Sequence, residues 1–229
     1  MFYREPPFED RGDAGRRLAE ELARYRDEEP LVLALPRGGV PVGYEISRSL
    51  GAPLDVLVAR KLGAPEQPEL GIGAVAPGGV RVIDDHTVAL LGLSEEEIDA
   101  LAERELAEVE RRTRRFREGR PEPELRDRTV ILVDDGLATG VTARAAIEAV
   151  RQQSPRRLVL AVPVCAAQTA KALEQEVDAL VSLETPVRLG AIGLWYRDFQ
   201  QTPDEEVVRL LESARRDVEA PYPGERPPG

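Results

Sequence analysis

The chain has 229 residues, enough for one domain with a sizeable core, and its 42% hydrophobic and 32% charged content describe a globular protein rather than a disordered one. A net charge of −11 disfavours nonspecific hold on a nucleic-acid backbone, while a single histidine (His86) and a single cysteine (Cys165) argue against a multi-histidine metal centre, a Ser-His-Asp hydrolase and an internal disulfide. No apolar run approaches membrane-spanning length and the opening MFYREPPFED has no signal-peptide pattern, so a cytoplasmic protein with neither membrane nor nucleic-acid partner is expected.

Residues 1–12 read as a polar arm laid over the surface. Asp13 is the expected N-cap of a first helix with Leu18, Leu22 and Tyr25 on one face. Residues 31–35 form an uninterrupted apolar run, read as a strand buried on both faces. A tight turn, Pro36-Arg37-Gly38-Gly39, leads into a helix over 40–50 that Gly51 closes. Two glycines beside a fixed positive charge suit an anion approaching backbone amides; a plain Gly-Gly turn with a solvated arginine is the alternative. A third strand is expected over 54–59. Arg60 and Lys61 follow it, then a long Gly- and Pro-bearing loop that returns to a strand at 72–75; loops of this kind in compact domains are often lids. A hairpin-like turn, APGGV, precedes a strand over 80–83. Asp84, Asp85 and His86 then read as a loop after an edge strand, because three adjacent residues do not converge on one metal ion. Ser94 with Glu97 has the capping-box pattern, and the helix it opens is expected to run to about 118, acidic at its start and arginine-rich at its end.

The most informative stretch is 129–142, TVILVDDGLATGVT. An apolar run of strand character ends in two acids, Asp134 and Asp135. A turn of small and hydroxylic residues follows, Gly136, Ala138, Thr139, Gly140 and Thr142, and an alanine-rich helix begins at once. Open α/β sheets bind ligands beyond strand C-termini, and a helix N-terminus offers free N–H groups and a favourable dipole to an anion. The unit is suited to hold a phosphate in the turn and hydroxyls or a metal on the acids. An ordinary strand-turn-helix corner is the bland alternative. Beyond it, strands over 158–164 and 179–183 alternate with helices over 143–152 and 166–174, which implies a parallel sheet. Cys165 closes an apolar run and reads as a buried structural thiol. Residues 186–202 break the alternation and carry Trp195, Tyr196, Asp198 and Phe199. A closing amphipathic helix over 203–218 with Val207, Leu210 and Leu211 inward precedes a tail, 219–229, expected to fray.

The 129–142 unit resembles the phosphoribosyl pyrophosphate (PRPP) motif of the type I phosphoribosyltransferases: a hydrophobic strand, two acids, small residues and Thr-Gly-x-Thr. The resemblance covers about 28–185. It implies a single Rossmann-like α/β domain, its mostly parallel sheet flanked by helices, with a helical insertion over about 85–120 and a small C-terminal hood with its closing helix over 186–218. It implies transfer of the phosphoribosyl group from PRPP to a nitrogenous base, with Mg²⁺ as cofactor and pyrophosphate released. Asp134 and Asp135 would hold the ribose hydroxyls or the metal, and Gly136, Ala138, Thr139, Gly140 and Thr142 the 5′-phosphate. Residues 36–39 match the pyrophosphate loop, in which a cis non-proline peptide is often found. There Gly38 and Gly39 would bind PRPP, with Arg37 joined by Arg60 and Lys61 of a mobile loop as the catalytic cations. Trp195, Tyr196, Asp198 and Phe199 are the base-binding candidates in the hood. Members that use 6-oxopurines carry an Asp where this chain has Ala138, which counts against hypoxanthine or guanine. A homodimer is expected. A PRPP-sensing regulatory module is the other function the resemblance allows.

Overall fold

In a computed structural model, which describes residues 5–219, eight strands and seven α-helices form two sheets and their cover. The main sheet contains β1 (Leu31–Ala34), β2 (Leu54–Val56), β6 (Thr129–Val133), β7 (Arg157–Val164) and β8 (Ala179–Glu184). All its pairings are parallel, in the order β2-β1-β6-β7-β8. Strands β1 and β6 are buried along their whole length, as their unbroken apolar runs require when both sheet faces are covered. On one face Val32, Ala34, Ile131 and Val133 pack with α1 (Arg11–Leu22), α2 (Gly39–Leu50) and α7 (Asp204–Glu219). On the other, Leu31, Leu33, Val130 and Leu132 pack with α5 (Val141–Arg151) and α6 (Ala167–Leu173).

The strand order locates the site. From β1 the chain passes through α2 to β2 on one side; from β6 it passes through α5 and α6 to β7 and β8 on the other. Winding therefore reverses between β1 and β6. The crevice beyond the C-terminal ends of strands at such a reversal is where open α/β sheets bind ligands. Register aligns Ala34 with Val133, so the turns that leave the two strands, 36–39 and 134–140, start side by side.

Several local expectations change. The first helix is capped by Asp10, whose carboxylate accepts from the Asp13 N–H, and not by Asp13; it then tightens into a 3₁₀ turn over Ala23–Glu28. The arm is pinned as well as superficial, because Phe8 is buried and pairs with Tyr196. The third strand is shorter than 54–59. The chain restarts instead as β3 (Arg60–Gly63), antiparallel to β4 (Gly71–Ala76), which pairs with β5 (Val80–Ile83) in a separate three-stranded sheet. The sequence RKLG carries no apolar alternation of its own; cross-strand hydrogen bonding makes it a strand, and only 64–70 remains as the connecting loop. A Cβ at Gly71 would lie 2.6 Å from Lys61 Cε, so the lysine side chain passes directly over that position. Asp84 is the N-cap of a short helix, α3 (Asp85–Leu91), rather than part of a loop: its carboxylate accepts from the Thr87 N–H and hydroxyl.

The long helix α4 (Glu95–Arg117) has the capping box its sequence announces, with Ser94 and Glu97 bonded reciprocally. Arg117 is buried, donates to Asp55 and to the Val56 carbonyl, and pairs with Glu122, tying α4 to β2. The closing helix buries Val207, Leu210 and Leu211 as expected, and the tail beyond Glu219 lies outside the described residues. No helix among the described residues is long and apolar enough to cross a membrane.

Candidate active site

Two turns and one strand end enclose the crevice. The first turn follows β1, and its Pro36–Arg37 peptide bond is cis. The Gly39 N–H bonds to the Leu35 carbonyl and the Val40 N–H to that of Arg37; Pro41 has no N–H to offer. This leaves the Arg37 and Gly38 amides without acceptors among the described residues, at the start of a helix with no side-chain cap. The second turn follows β6. Leu137 is fixed on both sides, its N–H to Val164 and its carbonyl from Ala166, so the turn extends over β7. The Ala138, Thr139 and Gly140 N–H groups have no acceptors among the described residues, and the first N–H groups of α5 lie next to them. Gly140 takes a left-handed conformation, φ +73°, and a Cβ there would meet Thr169 Cγ2 at 2.7 Å. A side chain is therefore barred by backbone and neighbour alike. Ala138 and Thr139 are exposed and Thr142 half-buried; neither threonine hydroxyl is bonded elsewhere among the described residues.

The acids lie between the two turns. A Cβ on Gly38 would fall 2.0 Å from Asp135 Oδ2, and one on Gly39 would fall 2.7 Å from the Val133 carbonyl oxygen. Both glycines therefore exist to let the first turn touch the acid pair. Asp134 Oδ1 accepts from the Asp135 N–H at 2.8 Å. Burial, and then the neighbouring Asp135, push the Asp134 carboxyl well above the usual carboxylate range. Burial also raises Asp135, against the opposing pull of Arg11. Among the described residues the two carboxyls share a single guanidinium, that of Arg11 at Asp135, so the pair is short of positive charge. Two acids and their surroundings fit a hard divalent cation that takes its remaining oxygens from a ligand and water, as Mg²⁺ does in phosphate-binding sites. Among the described residues, no group of three or more His, Cys, Asp or Glu side chains could hold a metal unaided.

The basic residues named from the sequence fall elsewhere. Arg37, at the first turn, approaches Asp204 of α7 at 3.4 Å. Arg60 pairs with Glu105 of α4 at 2.7 Å, and Lys61 donates to the Glu69 carbonyl across its own hairpin. The cation that meets the acids is Arg11, the first residue of α1, 2.8 Å from Asp135 Oδ2. Sequence reasoning missed it. It stands in a polar segment 124 positions from its partner, and no local pattern marks it.

The hood divides by role. Tyr196 is buried and donates its hydroxyl to the Asp135 carbonyl at 2.5 Å, with its ring stacked 4.9 Å from that of Phe199. Arg11 lies over the other ring of this pair, 3.9 Å from the Phe199 centroid, and donates to the Gln200 carbonyl at 2.7 Å. Trp195 donates its indole N–H to the Leu189 carbonyl, and the Asp198 carboxylate accepts from Gln200 within its own turn. Backbone bonds from Arg197 and Asp198 to Phe8 and Glu9 lock the hood to the N-terminal arm. Thus Tyr196 holds the Asp135 backbone and Phe199 backs Arg11, whereas Trp195 and Asp198 shape the hood itself. Arg11 and Gln200 also line a groove of about 540 Å³ between α1, α2, the hood and α7.

Comparison with known proteins shows which family the chain resembles. The model of the phosphoribosyl transferase domain matches residues 8–194. Two curated relatives from Mycobacterium tuberculosis, Rv0571c of strain H37Rv and MT0597 of strain CDC 1551, provisionally named phosphoribosyl transferases, are each 48% identical over 210 residues, 92% of this chain. Those residues make up 47% of each relative, so the chain spans about half the length of the curated relatives it matches. The crystal structure of TT1426 from Thermus thermophilus superposes with a TM-score of 0.76 at 40% identity, covering 90% of this chain and 98% of that one.

Proposed function

Because the chain belongs to the phosphoribosyl transferase domain family, we propose that it transfers the phosphoribosyl group of PRPP to a nitrogenous base. The observation that carries the reading is the placing of a desolvated acid pair between two turns whose amides lack acceptors, at the point where the sheet reverses its winding. The amides of Ala138, Thr139 and Gly140, with the Thr139 and Thr142 hydroxyls, receive the 5′-phosphate. Asp134 and Asp135 receive the ribose hydroxyls, directly or through Mg²⁺. The Arg37 and Gly38 amides take the pyrophosphate. When bound, Mg²⁺ neutralises charge on the donor's oxygens and orients them.

The C1–O bond to pyrophosphate breaks with its electron pair leaving on the pyrophosphate oxygen. The acceptor's nitrogen lone pair forms the C1–N bond, and the acceptor's proton passes to water. Fixed dipoles aimed at the oxygens that gain charge lower the barrier most when water is held out. Ala138 offers no carboxylate to the base, which favours acceptors other than 6-oxopurines. Its carbonyl is already engaged by the Thr169 hydroxyl at 2.5 Å.

Two measurements test this. PRPP binding followed by calorimetry with Mg²⁺ is expected for the wild type and lost in Asp134→Asn/Asp135→Asn; undiminished affinity in that variant refutes the site. Pyrophosphate release with PRPP against a panel of purine, pyrimidine and pyridine bases is expected to identify an acceptor, and binding without release on any base refutes the enzyme.

A further inference from the structure

We propose that Arg11, from the first turn of α1, is a binding residue for the pyrophosphate of the donor. The inference rests on the reading of the crevice as a PRPP site. The leaving group, pyrophosphate, departs with several negative charges, and a site for it needs a cation beside the amides that hold it. Arg37, Arg60 and Lys61 are turned to Asp204, Glu105 and the Glu69 carbonyl. Arg11 is turned to the crevice. Its Nε is 3.1 Å from the point a Gly38 Cβ would occupy, which puts the guanidinium against the turn whose amides lack acceptors.

The guanidinium has donors to spare. Nε is used by Asp135 at 2.8 Å and Nη1 by the Gln200 carbonyl at 2.7 Å, and Nη2 has no acceptor among the described residues. Arginine carries five N–H donors in a planar fork, so one side chain can keep an aspartate on one edge and accept phosphate oxygens on another. The ring of Phe199 at 3.9 Å fixes the plane of that fork from below, and the side chain is only 12% exposed, so its charge is weakly screened. Arg11 therefore joins three parts of the site: the ribose-side acid, the pyrophosphate turn and the hood.

The test separates the parts of the donor. Calorimetry with Mg²⁺ is run on the wild type and Arg11→Gln with PRPP, inorganic pyrophosphate and ribose 5-phosphate, with melting curves as a folding check. Loss of charge-assisted hydrogen bonds predicts PRPP and pyrophosphate affinities lowered about tenfold or more, with ribose 5-phosphate changed less than about twofold. Equal weakening of all three would show that Arg11 acts only by placing Asp135 and would overturn the proposal. Unchanged or tighter pyrophosphate binding would overturn it too, the latter by making Arg11 a competitor for Asp135. If Arg11→Gln does not fold, Arg11→Lys carries the same comparison, since a compact ammonium lacks the planar fork that spans Asp135 and the pyrophosphate turn; a selective loss for pyrophosphate supports the proposal and an equal loss overturns it. A wild type that binds none of the three ligands overturns the donor reading and this one together, whereas a failure confined to Arg11→Gln overturns this one alone.

Discussion

Gly38→Ala is the smallest change that sets the two halves of the site against each other. Gly38 has φ −63° and ψ −32°, a conformation alanine prefers, so the backbone raises no objection. On that ground the substitution would stabilise the protein by about 0.4–1 kcal/mol, through lost freedom of the unfolded chain. The new methyl group decides otherwise. It would lie 2.0 Å from Asp135 Oδ2, 2.5 Å from Asp135 Cγ and 3.1 Å from Arg11 Nε. Asp135 cannot keep both its position and its 2.8 Å contact with Arg11. Overpacking of this sort costs about 1–3 kcal/mol. The net effect is a loss of roughly 1–2 kcal/mol, or a melting temperature lower by about 2–8 °C for a chain of this size. Binding suffers more, since a displaced Asp135 and a displaced arginine together forfeit contacts of about 1.5–3 kcal/mol. PRPP affinity is expected to fall by about tenfold to a hundredfold. Calorimetric titration and a melting curve on the same preparation measure both quantities. A variant that melts at or above the wild-type temperature and binds PRPP with wild-type affinity would refute the steric coupling of the two turns.

Tyr196→Phe removes the donor to the Asp135 carbonyl and leaves a buried acceptor unpaired, at a cost of about 1–3 kcal/mol. The melting temperature should fall by about 2–4 °C for each kcal/mol, with the hood loosened and limited proteolysis accelerated within 186–202; an unchanged melt would mean the bond contributes nothing. Cys165 has no solvent exposure, and burial, followed by Glu174, pushes its thiol up to about 11. It should ignore Ellman's reagent at pH 8 in the native state and react once guanidinium unfolds the chain; rapid native labelling would contradict its burial.

The main sheet was legible because most of its strands carry a local apolar run, and local runs are what periodicity detects. Residues 31–34 and 129–133 declare burial on both faces without knowledge of their neighbours. In the second sheet the strands at 72–75 and 80–83 were legible too, but the third was not, since Arg60–Gly63 becomes a strand only by pairing with Gly71–Ala76. Helix starts were legible where a single reading satisfied the pattern, as at Ser94 with Glu97, and misjudged where two acids competed, as Asp10 and Asp13 do in the same turn. Within the site the split is the same. Asp134, Asp135 and the glycines stand in contiguous motifs whose order fixes their meeting place. The partners of Arg60, Arg37 and Arg11 lie 45, 167 and 124 positions away, and only the fold decides which of these three guanidinia faces the acids.

On the proposed reading, this choice of cation bears on how an acidic protein would take an anionic donor. With a net charge of −11, the molecule as a whole repels PRPP, and long-range attraction cannot drive capture. Recognition has to be local. The crevice supplies it with backbone amides at the starts of α2 and α5 and with a guanidinium already neutralised by Asp135 before any ligand arrives. Such an arrangement avoids a free charge in a dry pocket. It also makes the acid pair and the arginine interdependent: Arg11 keeps Asp135 on one edge of its fork and offers its remaining donors to the phosphates. Salt should therefore weaken PRPP binding only modestly, because these contacts are short and shielded from bulk ions. A steep loss of affinity between about 0.05 and 0.5 M KCl would mean that the donor is held by exposed surface charge, and that recognition by the half-buried arginine is wrong.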